Sequence, residues 1–122
     1  MLATQTLKTF LPTLDADRAL LFFRDTLGLT LLSRDPFALL FDAGNAHLRV
    51  TPVQEFTPQP FTVLGWDVQD IEGHIRALTA KGVVFEQFGL PGQDELGIWT
   101  APGGTQVAWF KDPDGNVLSL SE

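Results

Sequence analysis

The sequence predicts one α+β domain made from two copies of a βαβββ unit. Three observations lead there. First, the order strand, helix, strand, strand, strand occurs twice. Second, a proline-rich stretch at about residues 53–60 separates the two occurrences. Third, two helix-ending glycines, Gly28 and Gly82, are 54 residues apart. The units are predicted at about residues 5–52 and 61–122, within one domain of 122 residues. A single unit would leave one sheet face bare, so the two are expected to pair.

The first unit begins with a strand predicted at residues 7–13, whose successive side chains point to opposite faces. Lys8, Phe10 and Pro12 share one face of this strand, and the residues between them share the other. Asp15 has the character of a helix N-cap, and apolar residues at helical spacing follow it as far as Gly28. Three further strands are predicted at residues 29–33, 37–41 and 46–51.

The second unit repeats this pattern with a longer connection after its helix. A strand is predicted at residues 61–68, and Asp70 is the N-cap of a helix that ends at Gly82. Further strands are predicted at residues 83–88, 97–101, 105–111 and 116–120. Between the helix-ending glycine and the Gly-Asn pair of the last hairpin, the second unit has 17 residues more than the first, mostly in the Gly/Pro-rich stretch 89–104.

Composition excludes several classes of function. The chain has no cysteine, which removes disulfide scaffolds, thiolate zinc sites and cysteine nucleophiles. The formal net charge of −7 and the lack of a basic stripe argue against a nucleic-acid partner. No apolar run approaches the roughly 20 residues of a membrane span, and the start of the chain does not resemble a signal peptide. We therefore expect a cytoplasmic protein with neither nucleic acid nor membrane as partner.

One acidic motif invites a calcium interpretation. Asp112, Asp114 and Asn116 alternate, as the first ligands of a calcium-binding loop do. The sixth place of such a loop requires glycine and holds Val117, and its twelfth place falls beyond Glu122. A structural hairpin turn is therefore predicted at Asp-Pro-Asp-Gly.

Two segments, ALLFFRDTLGL at residues 19–29 and FKDPDGNVLSL at residues 110–120, resemble the glyoxalase/bleomycin resistance protein/dioxygenase superfamily, whose members are also called vicinal oxygen chelate proteins. The resemblance covers essentially the whole chain. It implies a curved, mainly antiparallel sheet that forms a cup, with the helices on its convex face. The superfamily hosts several chemistries as well as proteins that only bind, so the resemblance alone leaves the activity open.

Metal-dependent members of that superfamily carry His, Gln or Glu at four inward positions, in the first and last strand of each half. In this sequence the corresponding positions are Lys8, Arg49, Val63 and Ser119. None is a usual ligand of a divalent metal, and the two cations would repel one. We therefore expect no metal, no other cofactor and no assigned catalytic residue. The resemblance leaves open whether the protein is an enzyme, and the residues at these four positions favour a protein that only binds.

The candidate ligand-binding residues are Lys8, Phe10, His47, Arg49, Trp99 and Ser119. The first hypothesis is a metal-free protein that holds a small aromatic or anionic organic molecule in the cup, similar to the bleomycin-resistance branch. The alternative is a metal-dependent lyase, isomerase, transferase or dioxygenase of the superfamily. A third hypothesis is a metal-free enzyme with Lys8 or His47 as acid or base. The two inward cations have either an internal carboxylate such as Asp67 or an anionic ligand group as partner.

A homodimer is expected as well. Curved sheets of this kind leave strand edges that need cover, and Phe56 and Phe61 offer apolar surface near the linker.

For the other histidine, His74, a surface or half-buried position on the second helix is predicted. Trp66 is expected to lie beneath the helices.

Overall fold

A computed structural model describes all residues, Met1–Glu122, and divides them into two compact units, Met1–Thr57 and Pro58–Glu122. In the first unit a 3₁₀ turn, Leu2–Thr4, precedes the main elements. These are β1 (Leu7–Thr13), α1 (Ala16–Leu20) with a π-helical continuation (Leu21–Thr26), β2 (Thr30–Asp35), β3 (Ala38–Asp42) and β4 (Ala46–Pro52). The sheet order is β1-β4-β3-β2, in which only β1 and β4 are parallel.

The second unit repeats this topology. Its elements are β5 (Thr62–Asp67), α2 (Ile71–Ala80), β6 (Trp99–Thr100), β7 (Gln106–Lys111) and β8 (Val117–Ser121). The sheet order is β5-β8-β7-β6, again with a single parallel pair, β5 and β8. The predicted α+β class and the repeated βαβββ order are confirmed. Neither helix has the length and apolarity needed to cross a membrane.

The helix starts follow the predicted caps. The Asp15 carboxylate accepts a hydrogen bond from the backbone N–H of Arg18 at 3.1 Å, and the Asp70 carboxylate accepts one from Gly73 at 3.1 Å. Each bond satisfies an N–H that the first turn of the helix leaves without a partner. The predicted ends also hold, because Gly28 and Gly82 both adopt positive φ, at 79° and 95°.

The first helix departs from regular α geometry after one turn. From Leu21 onward it is wound as a π-helix, and the N–H of Leu27 bonds the carbonyl of Phe22 at 2.9 Å. Phe23 is buried in this segment, and its ring lies 5.8 Å from that of Phe41 on β3. The wider turn therefore keeps a large aromatic residue on the face that packs against the sheet.

The strand predicted at residues 83–88 is wrong. Only one isolated bridge, between Phe85 and Phe110, pairs this segment with the sheet. Beyond it the backbone bonds side chains instead: the Gln93 amide donates to the carbonyls of Glu86 and Gly97 and accepts from the N–H of Phe88, at 2.9–3.0 Å. The segment is therefore a side-chain-braced loop. The strand predicted at residues 97–101 shortens to β6.

Each sheet has one buried face. In the first unit α1 packs against β3 and β4. The buried apolar residues there are Leu11, Ala19, Phe23, Ala38, Leu39, Phe41, Leu48 and Val50. In the second unit they are Ile71, Ile75, Val83, Ile98, Ala108, Phe110, Val117, Leu118 and Leu120. Alternation along the strands sends the candidate site residues to the opposite faces, together with Ala38 and Val117, the buried first residues of β3 and β8.

Candidate functional site

The face of the first sheet turned away from α1 carries four of the six candidate residues. Strand register sets His47 between Lys8 on β1 and Asp42 on β3, and sets Arg49 between Phe10 on β1 and Leu40 on β3. The Arg49 face, as we call it, consists of Lys8, Phe10, Leu40, Asp42, His47 and Arg49. Neighbouring strands lie about 4.8 Å apart, so these six side chains form two adjacent rows.

The Arg49 face holds cations that have no acidic partner in their own unit. Elsewhere in the unit, Arg24 pairs with Asp25 at 2.8 Å and Arg34 pairs with Asp17 at 2.6 Å. Lys8 and Arg49 form no such pair, and the Asp42 carboxylate in the same face accepts from the N–H of Gly44 at 2.9 Å. Arg49 is half-buried, and Phe10 beside it is 61% exposed. A partly buried guanidinium next to an exposed ring is a fitting contact for an aromatic anion.

The remaining two candidates, Trp99 and Ser119, lie on the corresponding face of the second sheet. Register aligns Gly65, Ser119 and Trp109 in one row, and Asp67, Ser121, Val107 and Trp99 in the next. The Trp109 face is the name we give to these seven residues together with Thr62. Asp67 is on this face, as predicted, and its carboxylate accepts from the Ser121 hydroxyl at 2.7 Å. Trp66 is paired with Leu120 on the opposite, buried side of the sheet.

A bulge changes the register at the start of β5. Thr62 pairs with Val117 and Leu64 with Leu118, which leaves Val63 without a partner between them. The Thr62 hydroxyl accepts a hydrogen bond from Nε1 of Trp109 at 3.1 Å. Thr62 therefore belongs to the Trp109 face, whereas the sequence analysis placed only Val63 there. Simple alternation does not reveal a bulge.

Ser119 lies close to the main chain of β5. A Cβ added at Gly65 would collide with the Ser119 hydroxyl and lie 3.2 Å from the Ser119 carbonyl oxygen. Gly65 therefore gives β5 and β8 room for this serine. The Trp109 face therefore carries only small side chains beside the indole of Trp109.

The side chains at the four positions that the superfamily resemblance assigned to metal ligands do not fit a metal. Lys8 and Arg49 are cations, and Val63 has no donor atom. Ser119 has only a neutral hydroxyl, which is not among the usual protein ligands of zinc, iron or nickel. Neither unit contains a group of three or more histidine or carboxylate side chains placed to hold a metal ion.

The other polar motifs have structural partners. The Asp112 carboxylate accepts from the backbone N–H groups of Asp114 and Asn116 at 3.0 and 2.9 Å, and from the Asn116 amide at 2.8 Å. Burial raises the pKa of Asp112. His74 is exposed on α2, and its Nδ1 donates to the Asp70 carbonyl at 3.0 Å. The hairpin and the surface histidine are as predicted.

The family model for the Glyoxalase/Bleomycin resistance protein/Dioxygenase superfamily matches residues 6–120, and the chain belongs to this superfamily. Among solved structures, a superfamily member from Sphaerobacter thermophilus DSM 20745 is similar, with a TM-score of 0.75 and 20% identity over 100% of this chain and 99% of that one. A lactoylglutathione lyase from Agrobacterium tumefaciens gives a TM-score of 0.75 and 19% identity, over 98% of this chain and 93% of the other. At these identities the likeness shows the fold alone. No curated protein matches the sequence at a significant level.

Sequence reasoning missed three residues of the Trp109 face and its surroundings. For Trp109 the sequence predicted the strand but not which sheet face the side chain is on. Thr62 lies on this face only because of the bulge, and Phe88 is in a segment where a strand was predicted and a loop forms. The ring of Phe88 lies 5.5 Å from that of Trp109. Strand alternation from Phe110, a conspicuous core residue, would have placed Trp109 correctly. The other two depend on contacts between segments far apart in sequence.

Proposed function

We propose that this protein binds a small organic anion, aromatic or with an apolar part, on the Arg49 face and without a metal. One observation carries the proposal: Lys8 and Arg49 share a face and lack an acidic partner in their unit, while both Arg24 and Arg34 have one. Arg49 presents a planar fork that suits a carboxylate or phosphate, and Lys8 adds a point charge. Phe10 and Leu40 supply apolar contact beside them.

The absence of metal-ligand side chains at the four superfamily positions supports binding over metal-dependent catalysis. A fitting divalent site would need histidine or carboxylate donors there, and two of the positions hold cations instead. His47, between Lys8 and Asp42, is able to add a hydrogen bond to the same ligand group. The function proposed is therefore recognition of a carboxylate-, phosphate- or enolate-bearing molecule.

The test is calorimetry with three monosubstituted benzenes: benzoate, phenyl phosphate and benzamide, the neutral analogue of benzoate. We expect the two anions to bind and benzamide to bind more weakly or not at all. Arg49→Ala should weaken the binding of the anions by about 1.5–3 kcal/mol, the range for charge-assisted hydrogen bonds, or about ten- to a hundredfold in Kd.

Arg34→Ala is the matched control. It removes the same charge from the same sheet, but Arg34 is ion-paired with Asp17 on the exposed surface. It should leave anion binding unchanged. Equal affinity of wild type and Arg49→Ala for every anion that binds would remove Arg49 from the site, and preference for benzamide would contradict the proposal as a whole.

A further inference from the structure

Three aromatic rings form a continuous group on the second unit. The ring of Trp109 is central, with Phe88 at 5.5 Å and Trp99 at 6.4 Å between ring centroids. We call Phe88, Trp99 and Trp109 the aromatic shelf. Phe88 is 46% exposed, and the two tryptophans are half-buried. The shelf is thus accessible surface and not part of the buried core.

The shelf is held in place by hydrogen bonds that do not involve a ligand. Nε1 of Trp109 donates to the Thr62 hydroxyl, and because Trp109 is on β7 and Thr62 on β5, the indole extends across β8 between them. Phe88 belongs to the loop that the Gln93 amide braces, and its own N–H bonds Gln93 Oε1. Rings already ordered before binding lose little conformational entropy when a ligand stacks on them.

The side chains beside the ring of Trp109 are small enough to leave room for a planar group. Gly65 and Ser119 occupy the same row as Trp109, and neither rises far from the sheet. Since the indole N–H of Trp109 is already bonded to Thr62, the ring offers its face and not a donor. A planar ring is the ligand shape that such a surface suits.

The charge of the surroundings favours a cation. The second unit, Pro58–Glu122, has nine acidic side chains and three basic ones, which gives −6 of the chain's net −7. On the Trp109 face the exposed carboxylate of Asp67 lies on β5, three strand spacings of about 4.8 Å from Trp99 at the other end of its row. It is nearer to the indole of Trp109, which extends from β7 toward β5. The one cation near it in the register, Lys111, is two residues beyond Trp109, at the end of β7 away from Asp67. Aromatic faces attract positive charge as well.

We propose that the Trp109 face binds a planar aromatic cation, with its ring on the aromatic shelf and its positive charge toward Asp67. This site differs in chemistry from the anion site on the Arg49 face, and it does not depend on that proposal. Asp67 keeps one oxygen bonded to Ser121, which holds the carboxylate while the other oxygen is available to the ligand.

The experiment is tryptophan-fluorescence quenching and calorimetry with N-methylquinolinium at neutral pH. Quinoline, which has the same ring system without the fixed charge, and tetramethylammonium, which has charge without a ring, are the comparison ligands. We expect N-methylquinolinium to bind most tightly of the three. Phe88→Ala, which truncates an exposed ring, should weaken it about two- to fivefold, and Trp99→Leu should weaken it by at least as much.

Asp67→Asn separates charge from stacking. It should weaken the binding of N-methylquinolinium about two- to fivefold and leave the affinity for quinoline unchanged. Trp66→Phe is the matched control, because Trp66 faces the buried side of the same sheet, and it should leave the affinity unchanged. Urea unfolding of each variant verifies that it folds.

Several results would overturn the proposal. Unchanged affinity in both Phe88→Ala and Trp99→Leu would show that the ring binds elsewhere. Binding of quinoline as tight as that of N-methylquinolinium, or equal weakening of both by Asp67→Asn, would reject the cationic preference.

Discussion

Asp112 shows how one buried carboxylate organises a turn. It is 5% exposed and accepts three hydrogen bonds from residues two and four positions later in the Asp-Pro-Asp-Gly-Asn hairpin. Its pKa is raised because burial disfavours the ionised form, although the bonds from Asn116 act in the opposite direction. The two backbone N–H groups and the Asn116 amide are thus the partners that hold this carboxylate in the turn.

We expect Asp112→Ala to lower the free energy of unfolding by about 2–3 kcal/mol, because donors in a buried turn lose their acceptor. Asp112→Asn keeps Oδ1 as the acceptor for two backbone N–H groups, so its loss should be smaller. Urea denaturation followed by circular dichroism measures both. A change below about 0.5 kcal/mol for Asp112→Ala, the usual size at uninvolved surface positions, would contradict this account of the turn.

At the scale of the element, the start of α2 is the most heavily capped segment. Asp70 adopts a left-handed conformation with φ of 61°, the only non-glycine residue of the chain to do so. The two oxygens of Glu122 accept from the N–H groups of Asp70 and Ile71, each at 2.9 Å. These bonds hold the pKa of Glu122 below its ordinary value of 4.5. The first turn of α2 is thus joined to the residue after β8.

The lowered pKa of Glu122 predicts the pH dependence of a variant. A carboxylate whose pKa is lower in the folded chain stabilises the fold above its unfolded pKa, and this stabilisation is lost as pH falls below about 4.5 toward the folded pKa. Wild type should therefore exceed Glu122→Gln in stability at pH 7, and the difference should shrink in acid. Urea titrations from pH 7 to pH 3 measure it.

Glu95→Gln is the control for that experiment, since Glu95 is an exposed loop carboxylate for which no hydrogen bond of this kind is found. It should show little pH-dependent difference from wild type. A gap between wild type and Glu122→Gln that stays constant from pH 7 to pH 3 would mean that the charge of Glu122 contributes nothing through these bonds.

At the scale of the whole molecule, the residues at the superfamily metal positions predict metal content. Lys8, Arg49, Val63 and Ser119 provide no set of histidine and carboxylate donors. After dialysis, elemental analysis should find well under one nickel, zinc, manganese or iron per chain. One outcome would contradict this prediction: metal that stays bound at one ion per chain after dialysis and is lost when these residues are replaced. It would overturn both the assignment of these four residues to the metal positions and the proposed function.

We also propose that the chain forms a homodimer. β2 pairs only with β3 and leaves one strand edge, and Phe37 and Phe61 are 74% and 59% exposed. Such edges and rings are usually covered in native proteins. Sedimentation equilibrium should give about twice 13.4 kDa at high micromolar concentration. A stable 13.4 kDa species under those conditions would contradict the dimer.

Local patterns in the sequence were enough to predict much of the fold. Asp15, Asp70, Gly28 and Gly82 act within one helical turn, so their positions alone predicted the helix ends. Strand alternation has a period of two, and it correctly placed Lys8 with Phe10 and His47 with Arg49. The repeated βαβββ order follows from these same local signals, because each copy carries its own caps and turns.

Tertiary structure decided the features that depend on pairing between distant segments. The bulge at Thr62 arises from the register of β5 against β8, and the loop after α2 replaces a predicted strand because the Gln93 side chain, and not a neighbouring strand, satisfies its backbone. The contact of Phe88 with Trp109 joins residues 21 positions apart. Local propensity carries no information on such partners. The sequence alone therefore determined the framework and the pairs Lys8–Phe10 and His47–Arg49, whereas only the folded chain brought these pairs together with Leu40 and Asp42 and defined the aromatic shelf.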